Sequence, residues 1–169
     1  MAIDLTLKGT AITNREATPP VINNPGIGSG AVEYCSSGHY ASVPASLSAT
    51  SIIRLVEVPS NAVVTGLHFQ SAAQAGGTLD IGLYRTNKDG GAAVDSDFFA
   101  TAVAVTNAVA QTDVLNESGT NTIAKQSQPI WQAAGLTVDP KCMLDIAVTV
   151  AADITTGTGA IGLKVRYVL

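Results

Sequence analysis

Few side chains in this sequence are of the types that do chemistry, and their spacing gives them little to work with. The histidines are His39 and His68. A catalytic or ligating imidazole is normally oriented by a carboxylate or a cysteine. Neither histidine has such a partner at a local spacing, and His68 sits in a strand-like alternation opposite Leu67 and Phe69. Both read as surface or half-buried strand residues. Asn87-Lys88-Asp89-Gly90, with Asp95 and Asp97, begins like a calcium loop. Calcium takes about six to eight oxygen ligands, often from alternating loop positions. Lys88 places a positive charge inside the loop and no glutamate closes it, so the expectation is a solvated hairpin turn followed by a helix cap. Gly26-Ile27-Gly28-Ser29-Gly30 has the look of a phosphate loop. It lacks the preceding buried strand, the lysine and the following helix, and reads as a flexible bend.

Cys35 and Cys142 do not have the paired spacing of a zinc site. In a reducing compartment they are expected to be two thiols, although sequence alone leaves their pairing open. No GxSxG elbow, P-loop, GxGxxG after a strand or HExxH occurs. The expectation is a protein without catalytic, cofactor-binding or metal-binding residues, and not an enzyme. Trp131, beside Ile130, is the largest apolar body. It is expected to plug one end of the fold, with a subunit contact as its functional reading.

The elements that would hold these residues come from 169 residues, long enough for one full-size core without a staple. Nine Lys and Arg against 13 Asp and Glu give a net charge of −4, which leaves no basic surplus for nucleic acid. Only 13% of residues are charged, about half the usual share, with Ala, Thr, Val and Gly in their place. A surface so poor in charge points to a subunit covered by its own kind. No apolar run approaches the ~18 residues of a membrane span, and Met1 to Lys8 lacks the basic and apolar regions of a signal peptide.

From Ser51 onward the apolar residues recur with period two. Val63, Thr65, Leu67 and Phe69 share one face. Leu79, Ile81 and Leu83 follow the same rule, as do Leu144, Ile146, Val148 and Val150, and then Ile161, Leu163, Val165 and Tyr167. Ile52 to Val58 is a fifth strand, while Ala102 to Thr106 and Thr112 to Leu115 carry a fainter signal. Turn-forming clusters separate them, such as Asn87 to Gly91 and Thr155 to Gly159. Helix is confined to two short candidates: one capped by Asp95-Ser96-Asp97 and running through Ala100, and one from Pro129 to Gly135. The pattern predicts an all-β fold, an antiparallel β-sandwich of jelly-roll type over 41–169. Residues 1–40 are dense in Pro, Gly and Asn yet carry Ile3, Leu5, Leu7, Ile12, Val21 and Ile22. They predict an extended arm whose apolar residues lie against something, and these six with Trp131 are the candidate protein contacts.

Tyr40-Ala41-Ser42-Val43-Pro44, Ile52 through Val58-Pro59-Ser60-Asn61-Ala62-Val63-Val64, and Thr78-Leu79-Asp80-Ile81-Gly82-Leu83-Tyr84 follow one another as strand, Val-Pro turn, strand, turn and strand. With Pro129-Ile130-Trp131 and the closing strand Ile161 to Val168, this series resembles small virion structural proteins of tailed bacteriophages, of the head decoration or cement type. The resemblance covers about residues 40–169 and leaves the arm outside it. It implies a non-enzymatic β-sandwich, made in the host cytoplasm, that sits on the virion surface and bridges major capsid protein subunits. A homo-oligomer, dimer or trimer, with no nucleic-acid or membrane partner is expected. The other roles such a sandwich could fill are a tail, collar or fibre-base component, or a carbohydrate-binding module. Because the core is full-size and the cysteines are not ligand-spaced, EDTA with reductant is expected to leave the melting temperature within a few degrees. A fall of more than about 10 °C would exceed a ~1 kcal/mol effect severalfold and count against this expectation.

Overall fold

The computed structural model describes residues 17–19, 32–44, 46–155, 157 and 159–169. Among these residues, eight strands make two four-stranded antiparallel sheets. They are β1 (Tyr34–Tyr40), β2 (Ile52–Pro59), β3 (Val63–Ser71), β4 (Thr78–Arg85), β5 (Ala93–Ala104), β6 (Val109–Asp113), β7 (Met143–Ala152) and β8 (Ile161–Val168). Sheet one has the order β1-β8-β3-β6 and sheet two β2-β7-β4-β5. The pairings β1 with β8, β2 with β7, β3 with β6 and β4 with β5 are those of one long hairpin folded across itself. That is a jelly-roll arrangement of the expected β-sandwich, with a connectivity that alternation alone does not give.

The strands form because one face of each finds an apolar layer to enter. Leu67, Phe69, Val165 and Leu163 of sheet one meet Leu79, Ile81, Leu83, Ile146 and Val148 of sheet two, nearly all without exposure. Strand β3 departs from the expected pattern at one residue. A register shift between Val64 and Gly66 interrupts its pairing with β8, so Thr65 is exposed and Val64 is buried with Leu67 and Phe69. A bulge of this kind moves the alternation by one residue.

Two other expectations change. Asp95 to Ala100 is not helical but forms part of the twelve-residue β5, whose pairing with β4 shifts register three times. Those bulges break the period-two signal and left only the capping-type carboxylates visible. Strand β1 lies inside the stretch expected as arm, so the sheet starts at Tyr34 rather than after residue 40. Its sequence, YCSSGHY, has no apolar alternation because it is an exposed edge strand. Among the described residues, helix is limited to a 3-10 turn at Asn87–Asp89 and one turn of α-helix, α1 (Ile130–Ala133).

The connection between β6 and β7, residues 114–142, closes one end of the sandwich. It inserts Val114, Leu115, Ile130 and Ala133 into the core. The Ser118 hydroxyl donates to Phe98 O at 2.6 Å, and the Ile130 N–H donates to Ala62 O at 2.8 Å. The Ser60 hydroxyl donates to Asp139 at 2.6 Å, and with the Lys141 N–H it holds the Asp139 carboxyl below its ordinary range. At one side of the sandwich the two sheets nearly touch. A Cβ on Gly38 of β1 would lie 1.8 Å from Leu55 O of β2. Replacing Gly38 with alanine is therefore expected to destabilise the fold by about 1–3 kcal/mol, as overpacked sites do. Chemical denaturation would measure the loss directly, and an unchanged midpoint would contradict the contact.

Candidate functional site

The two outer faces of the sandwich differ, and the difference locates the candidate site. The outer face of sheet two is closed by its own chain. The Asp95–Ser96 backbone of β5 crosses over Gly82, where a Cβ would lie 2.2 Å from Ser96. Partial burial, with the hydrogen-bonded neighbouring Asp97, raises the Asp95 carboxyl above its ordinary range. Beside it the Arg54 guanidinium donates to Asp145 at 2.6 Å, to Arg85 O at 2.7 Å and to Gly91 O at 2.7 Å. It also lies over the Tyr84 ring, 5.4 Å from the centroid. The Tyr84 hydroxyl bonds to Thr149, and Tyr84 is only 2% exposed although it points away from the core. This satisfied polar layer seals the face.

The outer face of sheet one has no such cover among the described residues. Register places its side chains in rows across the strands. Cys35 and Gly66 flank Arg166, Ser37 and His68 flank Lys164 with Asp113 beyond, and His39 and Gln70 flank Gly162. Arg166 lies across Gly66, 3.8 Å from Glu33, which also accepts a hydrogen bond from Thr65. Both histidines of the chain are therefore on this face, set among strand neighbours. No group of three or more His, Cys, Asp or Glu positioned for a metal occurs among the described residues. Cys35 and Cys142 are free thiols, the former exposed on β1.

The face ends in an open depression of about 540 Å³, lined by His39, by residues 70–72 and 108–110, and by Ala160, Ile161 and Gly162. Six of these ten lining residues are Gly, Ala or Ser, which leaves the space open. They come from four separate parts of the chain, so no local motif announced them. The opposite end of the sheet carries exposed apolar residues instead: Val32, Tyr34 stacked on Tyr167, and Leu169.

Of the candidate contacts, Ile3, Leu5, Leu7, Ile12, Val21 and Ile22 lie outside the described residues. Trp131 is half-buried on α1, and its backbone N–H donates to Ser60 O at 3.2 Å. Nearby in sequence, Ile123 and Val138 are exposed on the β6–β7 connection. The seal over sheet two can be tested through Arg54. Arg54→Ala strands the mostly buried Asp145 carboxylate, and we expect a loss of about 2–3 kcal/mol, below the 3–5 typical of a fully buried pair. An equilibrium unfolding curve shifted by less than ~0.5 kcal/mol would show that the layer does not hold the face shut.

No family model matches the chain, and no curated protein matches it. Solved structures do share its fold. A chain of the cyanophage Pam1 capsid asymmetric unit superposes with a TM-score of 0.54 at 16% identity, covering 91% of this chain and 96% of that one. A chain of the capsid of Ralstonia phage GP4 gives a TM-score of 0.57 at 19% identity, covering 84% of this chain and 88% of that one. This sandwich therefore has the fold, over most of its length, of chains found in two phage capsids.

Proposed function

We propose that this chain is a structural protein of a tailed-phage virion that binds the outer surface of the capsid and bridges major capsid subunits. The observation that carries the reading is the near end-to-end fold similarity to a capsid chain, covering 96% of that chain. Similarity over a whole chain argues for the same kind of object rather than for a shared module. Two physical features support it. Sheet one offers an outer face with no cover among the described residues, and the sequence is poor in charge. Attachment would then come from apolar burial and main-chain pairing, repeated at every equivalent site of the shell. An oligomer spanning several sites turns modest contacts into firm binding. No catalysis is part of this role.

The N-terminal residues are the proposed tether. Ile3, Leu5 and Leu7 alternate with Asp4 and Thr6, so the segment can add to a sheet edge through main-chain bonds that need no charge. A chain lacking residues 1–30 is expected to keep its β-type circular dichroism while losing co-sedimentation with capsids. Unfolding of the truncated chain would instead make these residues part of the core. Immunogold labelling of virions with antibody to this chain is expected to decorate heads. Label confined to tails or collars would overturn the placement.

A further inference from the structure

Strand β6, like β1 at the other edge of sheet one, is paired on one side only among the described strands. In β6, four of the five residues are exposed, and the strand pairs only with β3 among the described strands. It has no proline or lysine, the usual protections of a free edge. The open depression lies against it, formed partly by Val109 and Ala110 of β6 itself. Its lining includes Gly162, whose conformation does not require glycine. A Cβ there would meet its nearest neighbours at 3.5 Å, an ordinary contact. Glycine at this position therefore keeps the depression open rather than the backbone in place.

We infer that the free edge of β6 and this depression receive the segment Ile3-Asp4-Leu5-Thr6-Leu7 of a second copy of the chain, added as a further strand of sheet one. This rests on the tether reading above and names its receptor. An added strand would supply the missing main-chain partners of β6. Its alternate apolar side chains would enter a depression large enough for more than one leucine-sized group. Reach is sufficient. Residues 8–31 extended at about 3.3 Å each span up to roughly 80 Å, against roughly 26 Å for the length of an eight-residue strand such as β8.

The test places a photo-reactive p-benzoylphenylalanine at Leu5 in the full chain and irradiates an equal mixture of isotope-labelled and unlabelled protein. The expected product joins peptides of different copies, linking residue 5 to β6 or to the 160–164 segment. Gly162→Val, which fills the depression, is expected to lower that yield at least fivefold with the melting temperature unchanged. Ala110→Asp on exposed β6 provides a second variant should Gly162→Val fold poorly. Cross-links confined to one copy, cross-links to other strands, or an unchanged yield in a folded variant would overturn the inference. Cross-links from Leu5 to the major capsid protein, with capsid binding still lost on deleting residues 1–30, would overturn it while leaving the proposed function standing.

Discussion

The whole molecule depends on the apolar layer between the two sheets. Leu67 and Phe69 from one side and Ile81, Leu83, Ile146 and Val148 from the other are fully buried there. Burial of such side chains is worth about 1.5–3 kcal/mol each relative to exposure. No strand could supply that alone, because a lone strand has only one apolar face and nothing to press it against. The layer is built by pairing strands far apart in the chain, β1 with β8 and β2 with β7. Once it is formed, connections at both ends are free to vary, and the β6–β7 connection uses that freedom to seal one end with Ile130 and Ala133.

How much of this could be read from the sequence follows from where each strand sits. Strands β3, β4, β7 and β8 each turn one face into the apolar layer, so their apolar residues alternate and show through, whereas β2, with a register shift between Arg54 and Val56, shows only as a dense apolar run. Strand β1 buries little, and β6 less, so neither leaves a clear period. In β5 the alternation exists but is broken by its bulges, which made Asp95 to Ala100 resemble a capped helix. The sandwich class was legible because it needs only a few alternating runs and frequent turns. The neighbours of each strand were not, since pairing is decided by contacts across the chain.

The candidate site was less legible, for a different reason. Its depression is made by the smallness of Gly162, Ala72, Ala110 and Ala160, which sequence reading passes over as filler. The two histidines stand on that same face, His39 beside Gly162 and His68 between Lys164 and Asp113. The closed face was equally hidden. Arg54, Arg85, Gly91 and Asp145 come together only once β2, β4 and β7 are side by side.

The tight approach of Gly38 to Leu55 makes the two long sides of the sandwich unequal. On that side, backbone meets backbone and the sheets cannot separate without breaking the contact. On the other, β5 and β6 are joined through residues 105–108, and β6 buries almost nothing. Any opening of the described sandwich is therefore expected to hinge, like a book, along the β1–β2 spine. In hydrogen exchange, the amides of β6 are expected to exchange through small local openings and those of β3, β4, β7 and β8 only through global unfolding. A neighbour seated along β6 would act as a clasp, raising protection at the fore-edge and leaving the spine as it was.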